Sequence, residues 1–185
     1  MHKPQFRTFA TAGMFAILYV VLFHVSDLIV DNAHFGGFAS LLFLPAFIRL
    51  LGYLMVGPWI VPALFLAACV LVFTGAYDIA PGNDVEHLVS ASTAIGGPLG
   101  VAVASRLARL QTHLANLTPL RLLALSFACS AGNALFYYAS LRLTGLGAEP
   151  ASSIFAIFAG DMLGTWMIIY LIKLAVDFLP SRLGR

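Results

Sequence analysis

Charged residues are scarce in this 185-residue chain. Asp, Glu, Lys and Arg together make up 10% of it, whereas hydrophobic residues make up 61%. Soluble domains carry about 25% charged residues, so most of this chain must be solvated by lipid rather than by water. The mean hydropathy of +0.94 agrees with that conclusion. The composition therefore excludes a water-soluble globular domain and predicts an integral membrane protein, with the lipid bilayer as its main surroundings.

Cysteine is scarce as well, and the common motifs of catalysis are missing. Cys69 and Cys129 both lie inside apolar runs, so we expect two buried free thiols rather than a disulfide framework. The chain has no Gly-rich phosphate loop, no nucleophile elbow and no HExxH motif. Its basic residues are dispersed rather than gathered in a nucleic-acid-binding patch. We therefore expect no enzyme activity, no cofactor and no nucleic-acid partner.

Apolar runs of membrane-spanning length predict an all-α polytopic transmembrane helix bundle that forms a single domain over residues 1–185. Gly57-Pro58 divides two of the runs, because a proline disfavours helical backbone at the preceding residue. Gly96-Gly97-Pro98 lies inside another run and indicates a kinked or broken helix. Thr118-Pro119 is typical of a helix N-cap followed by the first helical residue. About six spans are expected, at residues 8–30, 38–56, 59–77, 88–110, 120–141 and 152–176.

The distribution of basic residues predicts the orientation of these spans. Six spans with the N-terminus inside place eight of the ten Lys and Arg residues on the inner side, and only Arg49 and Arg142 are exceptions. The positive-inside rule is thereby satisfied, which predicts that both termini lie in the cytoplasm. We expect the membrane to be the inner membrane of a bacterium. The basic residues before the first span resemble the start of a signal peptide, but no cleavage site follows, so that span is expected to remain uncleaved.

Asp161, an acidic residue near the middle of the last span, requires a partner. A carboxylate at that depth costs about 2.5–3.5 kcal/mol unless it is paired, protonated or in a polar cavity. Arg49 lies about 16 Å deep in the second span, which is similar to the depth of Asp161 in the last span. Asn133 lies midway along the fifth span and so at a comparable depth. We therefore predict that Arg49, Asn133 and Asp161 meet, either as an internal fastener or as the floor of a cavity that binds a polar ligand or a proton. Trp166, slightly more than one turn beyond Asp161, is expected in that pocket or in packing around it.

Glycines and a histidine–carboxylate pair add further expectations. Gly160 and Gly164 flank Asp161 with the spacing that lets a neighbouring backbone approach closely. His24 and Asp27 are three residues apart and so face the same way on a helix, which suits metal ligation or pH sensing. No metal motif of defined spacing accompanies them, so no metal site is assigned, and a hydrated helix end is the favoured interpretation of that pair.

Two segments resemble the first type of membrane-associated sensor (MASE) domain. Residues 44–67, LPAFIRLLGYLMVGPWIVPALFLA, are similar to its Pro-Ala-x-Ile helix, Gly-Pro break and Pro-x-x-Phe-Leu helix. Residues 158–166, FAGDMLGTW, are similar to its Gly-Asp-x-x-Gly span. The resemblance implies an integral-membrane sensory domain, here as a freestanding six-span version without an output domain, which would act through a membrane or cytoplasmic protein partner. The resemblance implies five important positions: Pro45, Gly57, Gly160, Asp161 and Gly164.

Three functions therefore remain open at the level of sequence. The first is a sensor-type protein that binds a small ligand or a membrane partner through the midplane polar cluster. The second is the substrate-binding membrane component of an energy-coupling-factor-type transporter, since such components are also small six-span proteins and since Ala10, Ala12, Gly13 and Ala16 could serve helix docking. The third is an accessory subunit of a larger membrane complex, in which Asp161 is only a fastener.

Overall fold

The computed structural model describes residues 3–32, 42–76, 84–110, 117–144 and 151–178 of the chain. These residues form α-helices and one 3₁₀ turn, Gly57–Trp59, with no strand among them, as the composition predicts. The helices are α1 (Lys3–Asn32), α2 (Ala46–Val56), α3 (Ile60–Phe73), α4 (Asp84–Leu107), α5 (Pro119–Thr144) and α6 (Ala151–Phe178).

Four helical segments among the described residues are long and apolar enough to cross a membrane: Phe6–Ile29, Ala46–Phe73, Pro119–Ser140 and Ile154–Phe178. The stretch Ala94–Leu107 of α4 is apolar but shorter. Because a helix needs about 20 apolar residues to cross the hydrocarbon, the uninterrupted segments in α1, α5 and α6 are enough to make the chain a multi-pass membrane protein.

The segment Ala46–Phe73 is divided by a reversal of the chain at Gly57. The φ of Gly57 is 62° and its ψ is −140°, a backbone conformation that ends α2. Gly52 and Ile60 would lie about 12 Å apart along one straight helix, yet a Cβ built on Gly52 would lie 2.6 Å from Cγ1 of Ile60. Helices α2 and α3 therefore fold back on each other as a hairpin, which confirms the break predicted at Gly57-Pro58.

Helix α2 begins at Ala46, so the prediction of a helix from residue 38 is wrong for residues 42–45, which are not helical. Residues 38–41 lie outside the described part of the chain. The amide of Phe43 donates to the carbonyl of Gly160 at 3.1 Å, and the amide of Leu44 donates to Oγ of Ser26 at 3.0 Å. Irregular backbone is tolerated within a membrane protein when other parts of the protein satisfy its polar groups, as they do here.

Helix α4 is continuous through Gly96-Gly97-Pro98. Of the two alternatives expected there, the broken helix is wrong, and the kinked helix stays a prediction. The backbone of α4 packs closely on α5, because a Cβ on Gly100 would meet the carbonyl oxygen of Ala128 and a Cβ on Gly132 would meet that of Gly96. Helix α5 begins as predicted at Pro119, and the Oγ1 of Thr118 accepts a hydrogen bond from the amide of Arg121 at 3.3 Å.

Helix α2 is short but central, because it contacts each of the other five helices. It runs antiparallel to α1: Leu44, just before α2, is bonded to Ser26 near one end of α1, and Trp59, just after α2, lies against Phe9 near the other end, with ring centroids 4.9 Å apart. This arrangement places Arg49, in the first half of α2, in the middle of the bundle.

Candidate functional site

Arg49 of α2 and Asp161 of α6 form a buried ion pair. Nη1 of Arg49 lies 3.1 Å from Oδ2 and 3.3 Å from Oδ1 of Asp161. The side chains are 2% and 3% exposed, so water does not screen the pair. The ion pair predicted from the depths of these two residues in their spans is confirmed.

Two further side chains complete the cluster around this pair. Nδ2 of Asn133, on α5, donates a hydrogen bond of 2.8 Å to Oδ2 of Asp161, so the predicted meeting of three polar residues is also confirmed. Nη2 of Arg49 donates to the hydroxyl of Tyr19, on α1, at 2.9 Å. We refer to Tyr19, Arg49, Asn133 and Asp161 as the polar cluster; it joins α1, α2, α5 and α6.

Aromatic rings and a glycine surround the guanidinium and its aliphatic stem. The Cζ of Arg49 lies 4.9 Å from the ring centroid of Phe43 and 5.6 Å from that of Tyr19. These distances are in the range of cation–π attraction. On the other side, a Cβ added to Gly97 of α4 would lie 2.9 Å from Cδ of Arg49 and 3.2 Å from Sγ of Cys129. Helix α4 therefore leaves space for the arginine only because residue 97 is glycine.

The electrostatics of the cluster follow from its burial. An isolated charge taken out of water costs several kcal/mol, and a partner compensates for that cost only if the geometry is good and the remaining polar atoms are bonded. Arg49 and Asp161 together carry no net charge. Asn133 donates a hydrogen bond to the carboxylate, and the hydroxyl of Tyr19 accepts one from the guanidinium. The cluster is thus a neutral polar centre inside an apolar bundle.

One acceptor in the cluster is unused. Oδ1 of Asn133 is buried and has no hydrogen-bond partner among the described residues. Leaving a buried acceptor unsatisfied costs about 1–3 kcal/mol. The arrangement can therefore accept one more hydrogen bond, from a donor that reaches this point of the bundle.

Trp166, predicted in or near the pocket, lies outside the cluster. Its side chain is 42% exposed, and its Nε1 donates to Oγ of Ser126 on α5 at 3.0 Å. Trp166 is slightly more than one turn beyond Asp161, and this rotation directs its ring to the edge of the α5–α6 contact.

The positions implied by the family resemblance fall mainly at one place in the fold. Pro45 lies in the turn before α2 and is buried. Gly160 accepts the hydrogen bond from Phe43, and a Cβ on Gly164 would meet the carbonyl of Phe43. The close backbone approach predicted for the two glycines is thus confirmed, and the approaching backbone is that of residues 43 and 44. Gly57 lies elsewhere, at the reversal between α2 and α3.

His24 and Asp27 are both exposed on α1. Within the described ranges, no group of three or more His, Cys, Asp or Glu residues could hold a metal ion. His34 and the side chain of His87 lie outside the described residues.

Sequence reasoning missed Tyr19, Phe43 and Gly97 as contributors to the cluster. Tyr19 lies in an otherwise apolar run and Phe43 is one of fifteen phenylalanines, so neither is distinctive. The only available indication was Gly97 itself, since a glycine pair beside a proline in an apolar helix often marks a close approach. Searches with this sequence and structure found no matching family model, no matching curated protein and no matching solved structure.

Proposed function

We propose that the protein is a sensor-type integral membrane protein in which the polar cluster is the responsive site, for a small ligand or for a membrane partner. The observation that carries this proposal is the unused acceptor at Oδ1 of Asn133, next to an ion pair that links helices from distant parts of the chain. A ligand or partner that donates to this oxygen would favour one arrangement of α5 relative to α2 and α6. A shift of that kind needs only a difference in binding free energy between two arrangements.

The proposal includes a topology of six spans with both termini in the cytoplasm of a bacterium. The hairpin at Gly57 supports counting α2 and α3 separately, since two antiparallel arms return the chain to the side from which it came. Fusions of a periplasmic reporter and a cytoplasmic reporter after residues 32, 76, 110 and 144 test this count. With six spans, the periplasmic reporter should be active after residues 32, 76 and 144, and the cytoplasmic reporter after residue 110. A cytoplasmic signal after residue 76, which gives strict alternation along the four fusions, would mean that α2 and α3 cross as one span and would contradict six spans.

The transporter alternative depends on a docking face of small residues on α1. Ala12 is buried whereas Ala10 and Gly13 are exposed, so the small residues do not form one outward face. A second candidate function, an accessory subunit with the cluster as a fastener, is favoured by the contacts of Arg49 with α1 and α6. That reading explains the ion pair but not the unused oxygen of Asn133.

The test of the sensor proposal is Asn133→Leu, which removes both the unused acceptor Oδ1 and the Nδ2 donor to Asp161 and keeps a side chain of similar size. In cells, this variant should alter the output of the partner while folded protein accumulates to the normal level. The response is read as genome-wide transcript changes relative to cells that lack the protein. Asp177→Asn is the matched control, because Asp177 lies on α6 but is exposed.

Normal protein levels together with an unchanged response would contradict the sensor proposal. A loss of folded protein in Asn133→Leu would favour the fastener. The purified protein should also be analysed by native mass spectrometry in lipid nanodiscs. A vitamin-like ligand that co-purifies, together with nucleotide-binding subunits, would favour the transporter instead.

A further inference from the structure

One face of α5 is polar along most of its length and is turned into the bundle. Residues 126, 130, 133, 137 and 140 follow steps of four and three residues, so they lie on one side of the helix. They are Ser126, Ser130, Asn133, Tyr137 and Ser140, and the three serines and the asparagine are buried. This polar face extends over about 21 Å, a large part of the roughly 30 Å of hydrocarbon.

The polar face reaches both neighbours of α5. Near its N-terminal end, Oγ of Ser126 accepts from Nε1 of Trp166 on α6 at 3.0 Å. Near its C-terminal end, Oγ of Ser140 lies 3.2 Å from Oγ of Ser92 on α4. At its middle, Asn133 is bonded to Asp161. The one acidic side chain of the buried interior thus lies halfway along a row of hydroxyl groups, among the residues that the structure describes.

The surroundings of Asp161 can accommodate two charge states. When the carboxyl is ionised, Asn133 donates to it through Nδ2 and its Oδ1 is unused. When the carboxyl is protonated, it needs an acceptor, and a half-turn of the Asn133 amide about its last torsion supplies Oδ1 for that purpose. The unused oxygen is then the group that the second state requires.

The cation in the cluster also has partners in both states. Arg49 faces Asp161 from α2, and Tyr19 faces Arg49 from α1. Cys129 is the other titratable group nearby, on α5, whereas α4 presents the uncharged Gly97 at this level. If the carboxylate is neutralised, Arg49 loses its counter-ion and retains the hydroxyl of Tyr19 and the ring of Phe43, 4.9 Å from its Cζ. Protonation of Asp161 therefore carries the cost of a buried guanidinium without its counter-ion, which these two contacts offset only in part.

We propose that the polar face of α5 is a proton path and that Asp161 is the proton-binding group at its centre. This inference rests on the proposed function, because it names the proton as the ligand of the sensor-type site. The step is a proton transfer: an O–H bond forms at a carboxylate oxygen of Asp161 as an O–H bond of a hydronium ion breaks and leaves water. A hydroxyl on the path that passes a proton to its neighbour takes another proton from the preceding group in the same step, and the O–H bond of Asp161 breaks on release. Acidic side chains within membrane proteins are frequent members of proton relays.

The test is infrared difference spectroscopy of the full chain in lipid nanodiscs, perfused between about pH 8 and about pH 5. The expected result is a carbonyl stretching band of a protonated carboxyl that appears on acidification. Asp161→Asn should lose it, Asp161→Glu should restore a shifted band, and Asp177→Asn should keep it. In Asn133→Leu the band should move to a higher wavenumber, because the acceptor for the carboxyl proton is gone.

The path is tested separately, by the rate at which this band shifts when H₂O is exchanged for D₂O. Ser130→Val, within the buried face, should slow the shift, whereas Ala139→Val, on the exposed side of α5, should not. Equal rates in these two variants would overturn the path, and a band absent from the wild type or retained in Asp161→Asn would overturn proton binding.

The same experiments separate this inference from the proposed function. If Asn133→Leu alters the cellular response but no carboxyl band titrates, the sensor proposal stands and the proton is not its ligand. If the band titrates and the response is unchanged in both Asp161→Asn and Asn133→Leu, proton binding stands and the sensor proposal is wrong.

Discussion

The aliphatic stem of Arg49 passes directly over Gly97, so closely that a Cβ on residue 97 would lie 2.9 Å from Cδ of the arginine. This relationship joins α2 to α4 and fixes where the guanidinium can lie. The charge-bearing end of Arg49 is held by Asp161 and Tyr19. A small change in α4 should therefore disturb a cluster whose polar members all lie on other helices.

We predict that Gly97→Ala destabilises the protein. The added methyl group must displace Arg49 or Cys129, and overpacking of this kind costs about 1–3 kcal/mol in free energy of unfolding. The measurement is thermal unfolding of the purified protein in detergent. Gly13→Ala is the matched control, because a Cβ there meets nothing within 4 Å; it should be neutral or stabilise by up to about 1 kcal/mol through helix propensity. Equal effects of the two substitutions would contradict the packing argument.

The ion pair should show strong coupling in a double-mutant cycle. Arg49→Met or Asp161→Leu alone leaves a buried charge without its counter-ion, which costs about 3–5 kcal/mol. The double variant, Arg49→Met with Asp161→Leu, should recover most of that loss, because no uncompensated charge is then buried. Additive losses, measured by reversible unfolding in detergent, would show that the two residues do not act as a pair.

The hydrogen bond between Trp166 and Ser126 can be followed by fluorescence. The chain has two tryptophans, so in a Trp59→Phe background only Trp166 emits. Adding Ser126→Ala should shift the emission to shorter wavelength, since Nε1 loses its acceptor, and should cost about 0.5–1.5 kcal/mol. Ser105→Ala is the control, because Oγ of Ser105 is bonded to the carbonyl of Ala102 within α4. An unchanged spectrum in the Ser126 variant would place the indole elsewhere.

The reversal between α2 and α3 should depend on the backbone of Gly57 rather than on space. A Cβ at this residue meets nothing within 4 Å, but the φ of 62° is in the range that L-residues rarely adopt. Gly57→Ala should therefore destabilise the protein by about 1–3 kcal/mol, whereas Gly13→Ala should not. The measurement is the melting temperature of each purified variant. An unchanged melting temperature in Gly57→Ala would mean that the reversal does not require this backbone conformation.

The sequence predicts some features of the fold and of the polar cluster but not others. The helices follow from apolar length and from local punctuation, as Gly57-Pro58 and Thr118-Pro119 illustrate. The pairing of Arg49 with Asp161 was predictable because charges within hydrocarbon are costly and few partners existed at that depth. The start of α2 was not, because the irregular turn at residues 42–45 depends on bonds to Ser26 and Gly160, which lie far away in the chain.

The sequence by itself determined that the chain is a helical membrane protein and that its one deep acid needs a partner, since both conclusions follow from the cost of placing polar groups in lipid. Only the tertiary structure decided which neighbours surround Arg49, that Trp166 lies outside the cluster, and that the buried side of α5 is its polar face. Those features depend on how the helices rotate and pack against one another. In so apolar a chain, nearly every helix face is compatible with lipid, and hydropathy alone cannot select among them.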